Sequence, residues 1–356
     1  MGLRRRPDRI VARMSCFAYV PFSPVESTWL VQCLVLTPPP CRCRHRRWPC
    51  TTSPGAHVQH RPSAGQDSHT AVTSPGAELP NRRIGILYHG SKAEAAALAG
   101  HLAEQVRATG RSAWMLPVTR DAEARAPMAE TDLLFTLGGD GTIHRASKLA
   151  AMHKVPIVGV HLGQLGFLTE VTVDELDEKL SLFLEGRYWI EERSMLRVLH
   201  LRPQGSSEYL ALNDVVISRG RVARVIEVFV SLNGAEALAY TADGLIVASP
   251  TGSTAYSFAA GGPVLHPEAR NIILTPLAPF RCFERSLVLD ADTELLLRAV
   301  SNHETILSVD GQLDCMLAAE DRVLVTESPH RCRFARVRPR HYFMRVLMSR
   351  FAPALV

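Results

Sequence analysis

Residues 133–142 read LLFTLGGDGT, an apolar run that passes directly into three glycines around one carboxylate. A short apolar run bounded by glycine predicts a buried strand, and the residues after it predict a helix. Glycine allows close approach, so backbone N–H groups at Gly138, Gly139 and Gly141 can face phosphate oxygens. The alternative is a tight strand-to-helix turn in which Asp140 caps the helix.

The carboxylate of Asp140 restricts the reactions that this loop could support. A negative charge inside a phosphate-binding loop repels the ligand unless it acts as a base on an attacking hydroxyl or acts through Mg²⁺. The sequence contains no G-x-x-x-x-G-K-[ST] motif, and no G-x-G-x-x-G follows the first predicted strand. The loop therefore indicates phosphoryl transfer on a fold other than the two common nucleotide-binding folds.

Apolar runs and amphipathic segments alternate on both sides of the loop. The predicted strands are 84–88, 113–116, 133–137 and 157–160, and the predicted helices run over 95–106, after Thr142 and over 173–184. Such alternation implies an α/β domain with a parallel sheet, whose ligand groups lie at the carboxyl ends of the strands.

From about residue 190 the pattern changes to short alternating runs with turn signals, at 215–218, 225–230, 287–289 and 322–325. These runs predict the antiparallel strands of an all-β domain. We therefore expect three parts: an extension over residues 1–80, an α/β phosphate-binding domain over 81–190 completed by the C-terminal segment 337–356, and an all-β domain over 191–336.

Charge and cysteine usage restrict the partners of the chain. Residues 1–80 contain ten arginines, no lysine and four acidic residues, whereas residues 81–356 contain 30 basic and 31 acidic residues. The predicted folded region is therefore not a nucleic-acid-binding surface by bulk charge. Its three scattered cysteines suit a reducing cytoplasm, and prolines interrupt the apolar stretch 15–36, so we expect a cytoplasmic protein without a membrane span.

Two further constellations could contact a nucleoside. Asn213 and Asp214 enter a strand side by side, and an amide next to a carboxylate can recognise ribose hydroxyls or a base edge. A strand-entry turn is the alternative, because both residue types favour turns. Phe167 follows the strand 157–160 and could stack on a base, although a core phenylalanine would fit the same pattern.

Residues 243–256, DGLIVASPTGSTAY, continue to Gly261-Gly262-Pro263 and concentrate small residues and hydroxyls. We interpret this stretch as shaped to let a polar ligand touch the backbone rather than to build a core. Together with the loop at 138–142, it points to a nucleotide site.

In this order, the motifs resemble the NAD kinase family. Its members carry the Gly-Gly-Asp-Gly-Thr loop, a Leu-Gly-Phe-Leu-Thr segment, an Asn-Asp or Asn-Glu pair, the long stretch that ends in Gly-Gly-Pro, and a late Val-Asp-Gly-Gln, here residues 309–312. The resemblance extends from about residue 83 to 351. A lipid kinase of the diacylglycerol kinase type shares the Gly-Gly-Asp-Gly-Thr loop and is the alternative, but residues 252–256 and 261–263 favour an NAD kinase.

The resemblance implies transfer of the γ-phosphate of ATP, or of a polyphosphate in some members, to the adenosine 2′-hydroxyl of NAD with a divalent metal such as Mg²⁺. Asp140 would activate that hydroxyl, no protein side chain is expected to bind the metal, and the all-β domain would bind NAD. The partners would be NAD and ATP, in a homo-oligomeric dimer or tetramer. The expected substrate and nucleotide contacts are Gly138, Gly139, Gly141, Thr142, Phe167, Asn213, Asp214, Thr251, Thr254, Ala255, Tyr256 and Gln312.

The extension over residues 1–80 is rich in Pro, Arg, Ser and Thr without a sustained period, so we expect it not to build a core. No Met occurs between Met14 and Met115. In a bacterial gene, translation could start at a non-Met codon near Val72 or Leu79. The alternative is an organelle-targeting segment, because residues 4–14 are rich in Arg and poor in acids.

A chain that begins at Pro80 should therefore keep the fold and the expected phosphorylation of NAD at the level of the full chain. Circular dichroism, thermal unfolding and an NADP assay on the two chains side by side check this expectation. Loss of activity in the shorter chain would contradict it, and mass spectrometry of the native N-terminus separates the two origins of the extension.

Overall fold

The structure is a computed structural model, and it describes residues 81–163, 166–220 and 224–351. The predicted extension over residues 1–80 lies outside the described residues. Within them, the chain begins as an α/β unit and continues as a predominantly β region.

The α/β unit alternates strands and helices as the sequence predicts. Its elements are β1 Arg83–Tyr88, α1 Ala93–Ala108, β2 Ser112–Pro117, α2 Asp121–Met128, β3 Leu133–Gly138, α3 Asp140–Met152, β4 Ile157–His161, β5 Val171–Thr172 and α4 Val173–Leu184. The first four strands pair in parallel in the order β2-β1-β3-β4. The predicted parallel sheet is confirmed.

Strand β3 is buried along its whole length, because apolar layers cover both faces of the sheet. Phe135 and Leu137 pack in a cluster with α1 and α4, whereas Leu134 packs on the opposite side with Ile143 of α3. A parallel strand covered on both faces is continuously apolar, and for this reason residues 133–137 lack polar alternation.

The remaining strands are β6 Trp189–Arg202, β7 Gly205–Ala211, β8 Asp214–Arg219, β9 Ile226–Leu232, β10 Ala235–Ala242, β11 Gly244–Ala248, β12 Asn271–Leu277, β13 Leu287–Asp290, β14 Leu295–Val300, β15 Thr305–Val309, β16 Leu313–Leu317 and β17 Arg322–Arg336. A 3₁₀ turn at Thr251–Thr254 and the short helix α5, Tyr256–Ala259, follow β11, and α6, Tyr342–Phe351, ends the described chain. The predicted all-β domain is confirmed as a mostly β region, which also contains the 3₁₀ turn and α5.

These strands form two layers. One antiparallel sheet has the order β13-β12-β11-β8-β15-β16, and its residues Val215, Ile217 and Val247 pack against Val228 and Leu297 of the other sheet. That other sheet also contains the parallel strands, in the order β10-β9-β14-β17-β4-β3-β1-β2. Apolar alternation along β8 and β9 thus fills the space between two sheets.

Strand β17 connects the parallel and antiparallel parts of the larger sheet. Its first half pairs with β14, and almost the whole strand pairs with β6; both pairings are antiparallel. Near the end of β17, Phe334 pairs in parallel with Ile157 of β4. The expected domain boundary after residue 190 lies within β6, and the one after residue 336 lies at the end of β17. The division into domains at these residues stays a prediction.

Among the residues that the structure describes, no helix is both long enough and apolar enough to cross a lipid bilayer.

Candidate functional site

The glycine-rich loop lies at the carboxyl end of β3, where a parallel sheet presents ligand groups. Gly138 ends the strand, Gly139 precedes the helix, and Asp140 is the first residue of α3. The Asp140 Oδ2 accepts a hydrogen bond from the Phe167 N–H at 3.3 Å. Its Oδ1 is buried and has no hydrogen-bond partner among the described residues. The Asp140 carboxylate is therefore hydrogen-bonded to a segment that lies 27 residues further along the chain.

Two of the three glycines in the loop have different roles. A Cβ added at Gly138 would lie 2.2 Å from the Thr142 Oγ1, so a side chain there cannot fit. A Cβ at Gly141 would meet no atom within 4 Å. Gly138 is thus required for packing within the loop, whereas Gly141 leaves open space in front of the helix N-terminus, where an anion is favoured.

Gly166 contacts the carboxylate directly, and the sequence analysis did not identify it as a site residue. A Cβ added at Gly166 would lie 2.1 Å from the Asp140 Oδ1. Its position next to Phe167, a predicted site residue, was the feature of the sequence that could have identified Gly166. The Phe167 ring lies 6.1 Å from the ring of Phe343 in α6, between centroids, and the Arg350 Cζ lies 4.9 Å from its centroid. Stacking of Phe167 on a base stays a prediction.

A buried carboxylate shapes the backbone at Asn213 and Asp214. The Asp310 side chain accepts hydrogen bonds from the N–H groups of Leu212 at 3.1 Å, Asn213 at 2.8 Å and Asp214 at 3.3 Å. The Lys148 Nζ of α3 lies 3.6 Å from the Asp310 Oδ2. Asp310 is thus an organiser of the site that the sequence analysis missed, although it lies in the quoted motif at 309–312.

The Asn213 side chain reaches α3. Its Nδ2 lies 3.2 Å from the His144 Nε2, within hydrogen-bonding distance. Burial lowers the pKa of His144, although the carboxylates of Asp310 and Asp140 act in the opposite direction. The imidazole is therefore neutral near pH 7 and can accept the amide proton.

The small residues after β11 pack on the back of this turn. The Ser249 N–H donates to the Asn213 carbonyl at 2.8 Å, and its hydroxyl donates to the Leu212 carbonyl at 2.5 Å. A Cβ added at Gly252 would lie 2.1 Å from the Asn213 O. Several of the small residues therefore serve close packing between two backbone segments, so our interpretation of the whole stretch as ligand-facing was wrong in this part.

The two threonine hydroxyls that we predicted as ligand contacts in this stretch are either hydrogen-bonded or buried within the protein. The Thr254 hydroxyl donates to the Thr251 carbonyl at 3.2 Å. The Thr251 Oγ1 is buried without a hydrogen-bond partner among the residues that the structure describes. Both residues lie in the 3₁₀ turn, next to Ala255 and Tyr256.

Eight of the predicted residues line two neighbouring cavities, whereas Gly138, Asp140, Phe167, Thr251 and Thr254 line neither of them. One, of about 510 Å³, is lined by Asn213, Asp214, Ala255, Tyr256 and Asp310, among others. The second, a groove of about 850 Å³, is lined by Gly139, Gly141, Thr142 and Gln312, together with His89, Lys92, Arg120 and Arg145. Gly311 lines the first cavity and Gln312 the second, and the Gln312 Nε2 donates to the Gly141 O at 3.4 Å. The late motif therefore joins both cavities.

The basic residues of the groove were absent from the sequence analysis. Lys92 follows β1 and Arg120 follows β2, so both lie at the carboxyl edge of the sheet. Arg145 lies one turn into α3 and has no ion-pair or hydrogen-bond partner within the described part of the chain. Lys92 and Arg120 each follow a predicted strand, and residues that follow parallel strands lie at the same edge of the sheet. This position was the signal that could have identified them.

The charge on Asp214 depends on pH in the neutral range. Burial and the nearby Asp310 carboxylate raise the pKa of Asp214 to about 7, although the Tyr256 backbone N–H favours the charged form. Burial also lowers the pKa of His161, whose Nδ1 accepts the Gly163 N–H at 2.7 Å.

No cluster of three or more acidic, histidine or cysteine side chains that could hold a metal occurs in the ranges 81–163, 166–220 and 224–351.

Two family models match the chain. The ATP-NAD kinase N-terminal domain matches residues 84–188, and the ATP-NAD kinase C-terminal domain matches residues 212–337. The NAD kinase of Dehalococcoides mccartyi strain CBDB1 is 38% identical over 268 residues, which cover 75% of this chain and 94% of the relative. The NAD kinase of Heliobacterium modesticaldum is 40% identical over 271 residues, 73% of this chain and 95% of the relative.

Two solved structures share the fold. Yeast NADH kinase, complexed with NADH, has a TM-score of 0.66 at 23% identity and covers 80% of this chain and 94% of its own. An NAD kinase from Archaeoglobus fulgidus, in complex with ATP, has a TM-score of 0.59 at 24% identity and covers 75% and 97%.

Replacing Asp214 with Asn should stabilise the protein at pH 8 and have little effect near pH 4. The folded state binds the Asp214 proton more tightly than the unfolded chain does, so the native carboxylate costs stability as the pH rises from about 4 to about 7. We expect a gain in unfolding free energy on the order of 1–3 kcal/mol at pH 8. Urea unfolding at both pH values measures it.

The matched control is Asp314→Asn, because Asp314 is an exposed carboxylate that lines the same cavity. It should not produce this pH-dependent gain. An equal stability change for Asp214→Asn at the two pH values would contradict the assignment.

Proposed function

This chain belongs to the NAD kinase family and is a phosphotransferase that acts on NAD, and we propose that Asp140 is the general base that activates the adenosine 2′-hydroxyl. The product of that transfer is NADP. The reported relatives and solved structures are NAD or NADH kinases, and they give no support to the lipid kinase alternative.

The observation that carries this proposal is the unpaired oxygen of Asp140. Its Oδ2 is held by the Phe167 N–H, while its Oδ1 is buried without a hydrogen-bond partner among the described residues. A buried oxygen that lacks a partner is costly and calls for an explanation, and a catalytic role is one such explanation. Gly166 covers Oδ1, so a hydroxyl could donate to this oxygen only after Gly166 moves aside, and it would then lie in position to lose its proton.

We assign the acceptor nucleoside to the cavity of about 510 Å³ next to β8. Asn213 and Asp214 offer an amide donor and a carboxylate acceptor, which can recognise ribose hydroxyls or a base edge. Tyr256 is 49% exposed at the same cavity, so its ring is available to stack on a base.

We assign the phosphoryl donor to the groove of about 850 Å³ in front of α3. The groove combines a helix N-terminus with Lys92, Arg120 and Arg145, and both features favour polyanions. ATP is the donor named in the matching family models. A polyphosphate would meet the same cations, so it is the alternative donor.

We propose that a divalent ion such as Mg²⁺ accompanies the donor. The described residues offer Asp140 at the loop but no cluster of metal ligands, and Mg²⁺ is commonly held by one or two carboxylates together with substrate phosphates. When bound, the ion would neutralise charge on the transferred phosphoryl group. A cytoplasmic location and a dimeric or tetrameric assembly stay predictions.

Asp140→Asn should keep the fold and most of the affinity for NAD yet lower kcat by roughly 10²-fold to 10⁴-fold, the range for loss of a positioned general base. The amide retains the shape of the side chain and can still accept the Phe167 N–H, but it cannot take a proton. NADP formation with Mg²⁺ and ATP or polyphosphate measures the effect. A turnover close to that of the parent protein would show that Asp140 is not the base.

Two binding variants should separate the cavities. Arg145→Met should raise the KM for ATP and leave the KM for NAD within about threefold, whereas Tyr256→Ala should do the reverse. Each contact is made in both the ground and transition states, so kcat should change less than KM. Initial rates measured with each substrate varied in turn test the assignment. A KM change for the same substrate in both variants would contradict it.

A further inference from the structure

We propose that Arg193 and Arg336 are positioning residues for Asp140, because they hold the backbone segment that contacts its carboxylate. The inference rests on the proposed role of Asp140 as base. The segment in question runs from Gly166 to Glu170 and is named the clamp segment.

Two guanidinium groups hold the clamp segment by donating hydrogen bonds to its backbone carbonyls. The Arg193 Nη2 donates to the Phe167 O at 3.2 Å. The Arg336 Nη1 donates to the Leu168 O at 3.1 Å and to the Thr169 O at 3.2 Å. Phe167 to Glu170 belong to no helix or strand, so these contacts replace the hydrogen bonds that a ladder would supply.

Two glutamates hold the guanidinium groups. Glu191 lies between them: its Oε1 accepts from the Arg193 Nε, and its Oε2 accepts from the Arg336 Nε at 3.1 Å. The Glu170 Oε2 accepts from the Arg336 Nη1 at 3.1 Å. Both guanidinium groups also contact the ring of Phe334, at 5.1 Å for Arg193 and 4.8 Å for Arg336, measured from Cζ to the centroid. The orientation of each cation is therefore fixed from several sides.

All four charged residues are buried, with exposures of 2% for Arg193, 5% for Arg336, 7% for Glu191 and 2% for Glu170. Burial alone would raise the pKa of Glu191, but the charges of Arg193 and Arg336 lower it to about 2, so the glutamate is ionised. A buried ion network is weak support for stability, since well-packed apolar residues often serve as well. Apolar side chains could not donate hydrogen bonds to three successive carbonyls.

The clamp segment acts on Asp140 at two points. The Phe167 N–H donates to Oδ2, and the Gly166 Cα faces Oδ1 with no room for a side chain. The Gly166 N–H in turn donates to the Thr169 Oγ1 at 2.7 Å, which folds the segment upon itself. A shift of this segment would therefore rotate or displace the carboxylate, and misplacement by about 1 Å can cost about 10²-fold in rate.

Arg336→Lys tests the proposal, because lysine keeps the charge but cannot donate to both carbonyls while it pairs with both glutamates. We expect kcat to fall by about 10-fold to 10²-fold, with the KM values for NAD and ATP within about threefold. The matched control is Arg333→Lys. Arg333 pairs with Glu192 at 2.9 Å on the same two strands, and both side chains are partly exposed, so its kcat should be unchanged.

A second variant covers the case in which Arg336→Lys does not fold. Thr169→Val has nearly the same shape but removes the hydroxyl that accepts the Gly166 N–H, and it leaves every ion pair intact. It should show the same selective loss of kcat. An unchanged kcat in Thr169→Val, or equal losses in Arg336→Lys and Arg333→Lys, would overturn the proposal.

The decisive measurement combines each substitution with Asp140→Asn. If Arg336 and Thr169 act through the Asp140 carboxylate, their substitutions should cause no further loss of kcat once that carboxylate is gone. Losses that multiply in the double variants would overturn the positioning role. A high turnover of Asp140→Asn alone would instead overturn the proposed base, so the two failures are distinguishable.

Discussion

The buried carboxylate of Asp310 is the interaction on which both cavities depend. This carboxylate accepts hydrogen bonds from three backbone N–H groups at the start of β8. The backbone N–H of Asp310 donates to the Asp214 carbonyl at 2.9 Å. Its φ of 54° is left-handed, a conformation that Asp tolerates better than most residues. Through Lys148 it also reaches α3, the helix that begins with Asp140. One side chain therefore organises the cavity next to β8 and connects it to the helix that follows the glycine-rich loop.

This arrangement has an electrostatic consequence. Burial raises the pKa of Asp214 and the neighbouring Asp310 carboxylate raises it further, to about 7, so Asp214 titrates near neutral pH. The same charge favours the protonated form of His144, but burial outweighs it, and the imidazole stays neutral beside Asn213. The cavity next to β8 is thus lined by one structural carboxylate, Asp310, and by one carboxylate, Asp214, whose charge changes near neutral pH.

The local parts of the fold could be predicted from the sequence, because β3 and its loop are encoded within ten consecutive residues. The parallel pairing of β1 to β4 followed from the alternation of strands and helices, whereas their order in the sheet was not predicted. The continuity through β17 could not be predicted, since the pairing of Phe334 with Ile157 depends on contacts 177 residues apart in the chain. Charged residues on β6 and β17 look like solvent-facing positions in the sequence. Only the fold shows that Arg193 and Arg336 point inward to partners on distant segments.

The glycines show most clearly how a correct motif can be given an incomplete physical reason. Gly138, Gly166 and Gly252 each exclude a Cβ because another protein atom lies within 2.2 Å of where it would be. Those atoms belong to Thr142, to Asp140 and to Asn213, which are residues expected at the site. These three glycines thus bring the site residues together by letting protein segments approach one another, whereas Gly139 and Gly141 line the groove and leave room for the expected approach of a ligand. Dense glycine in this sequence therefore reports the preorganisation of the site as much as its contact with substrate.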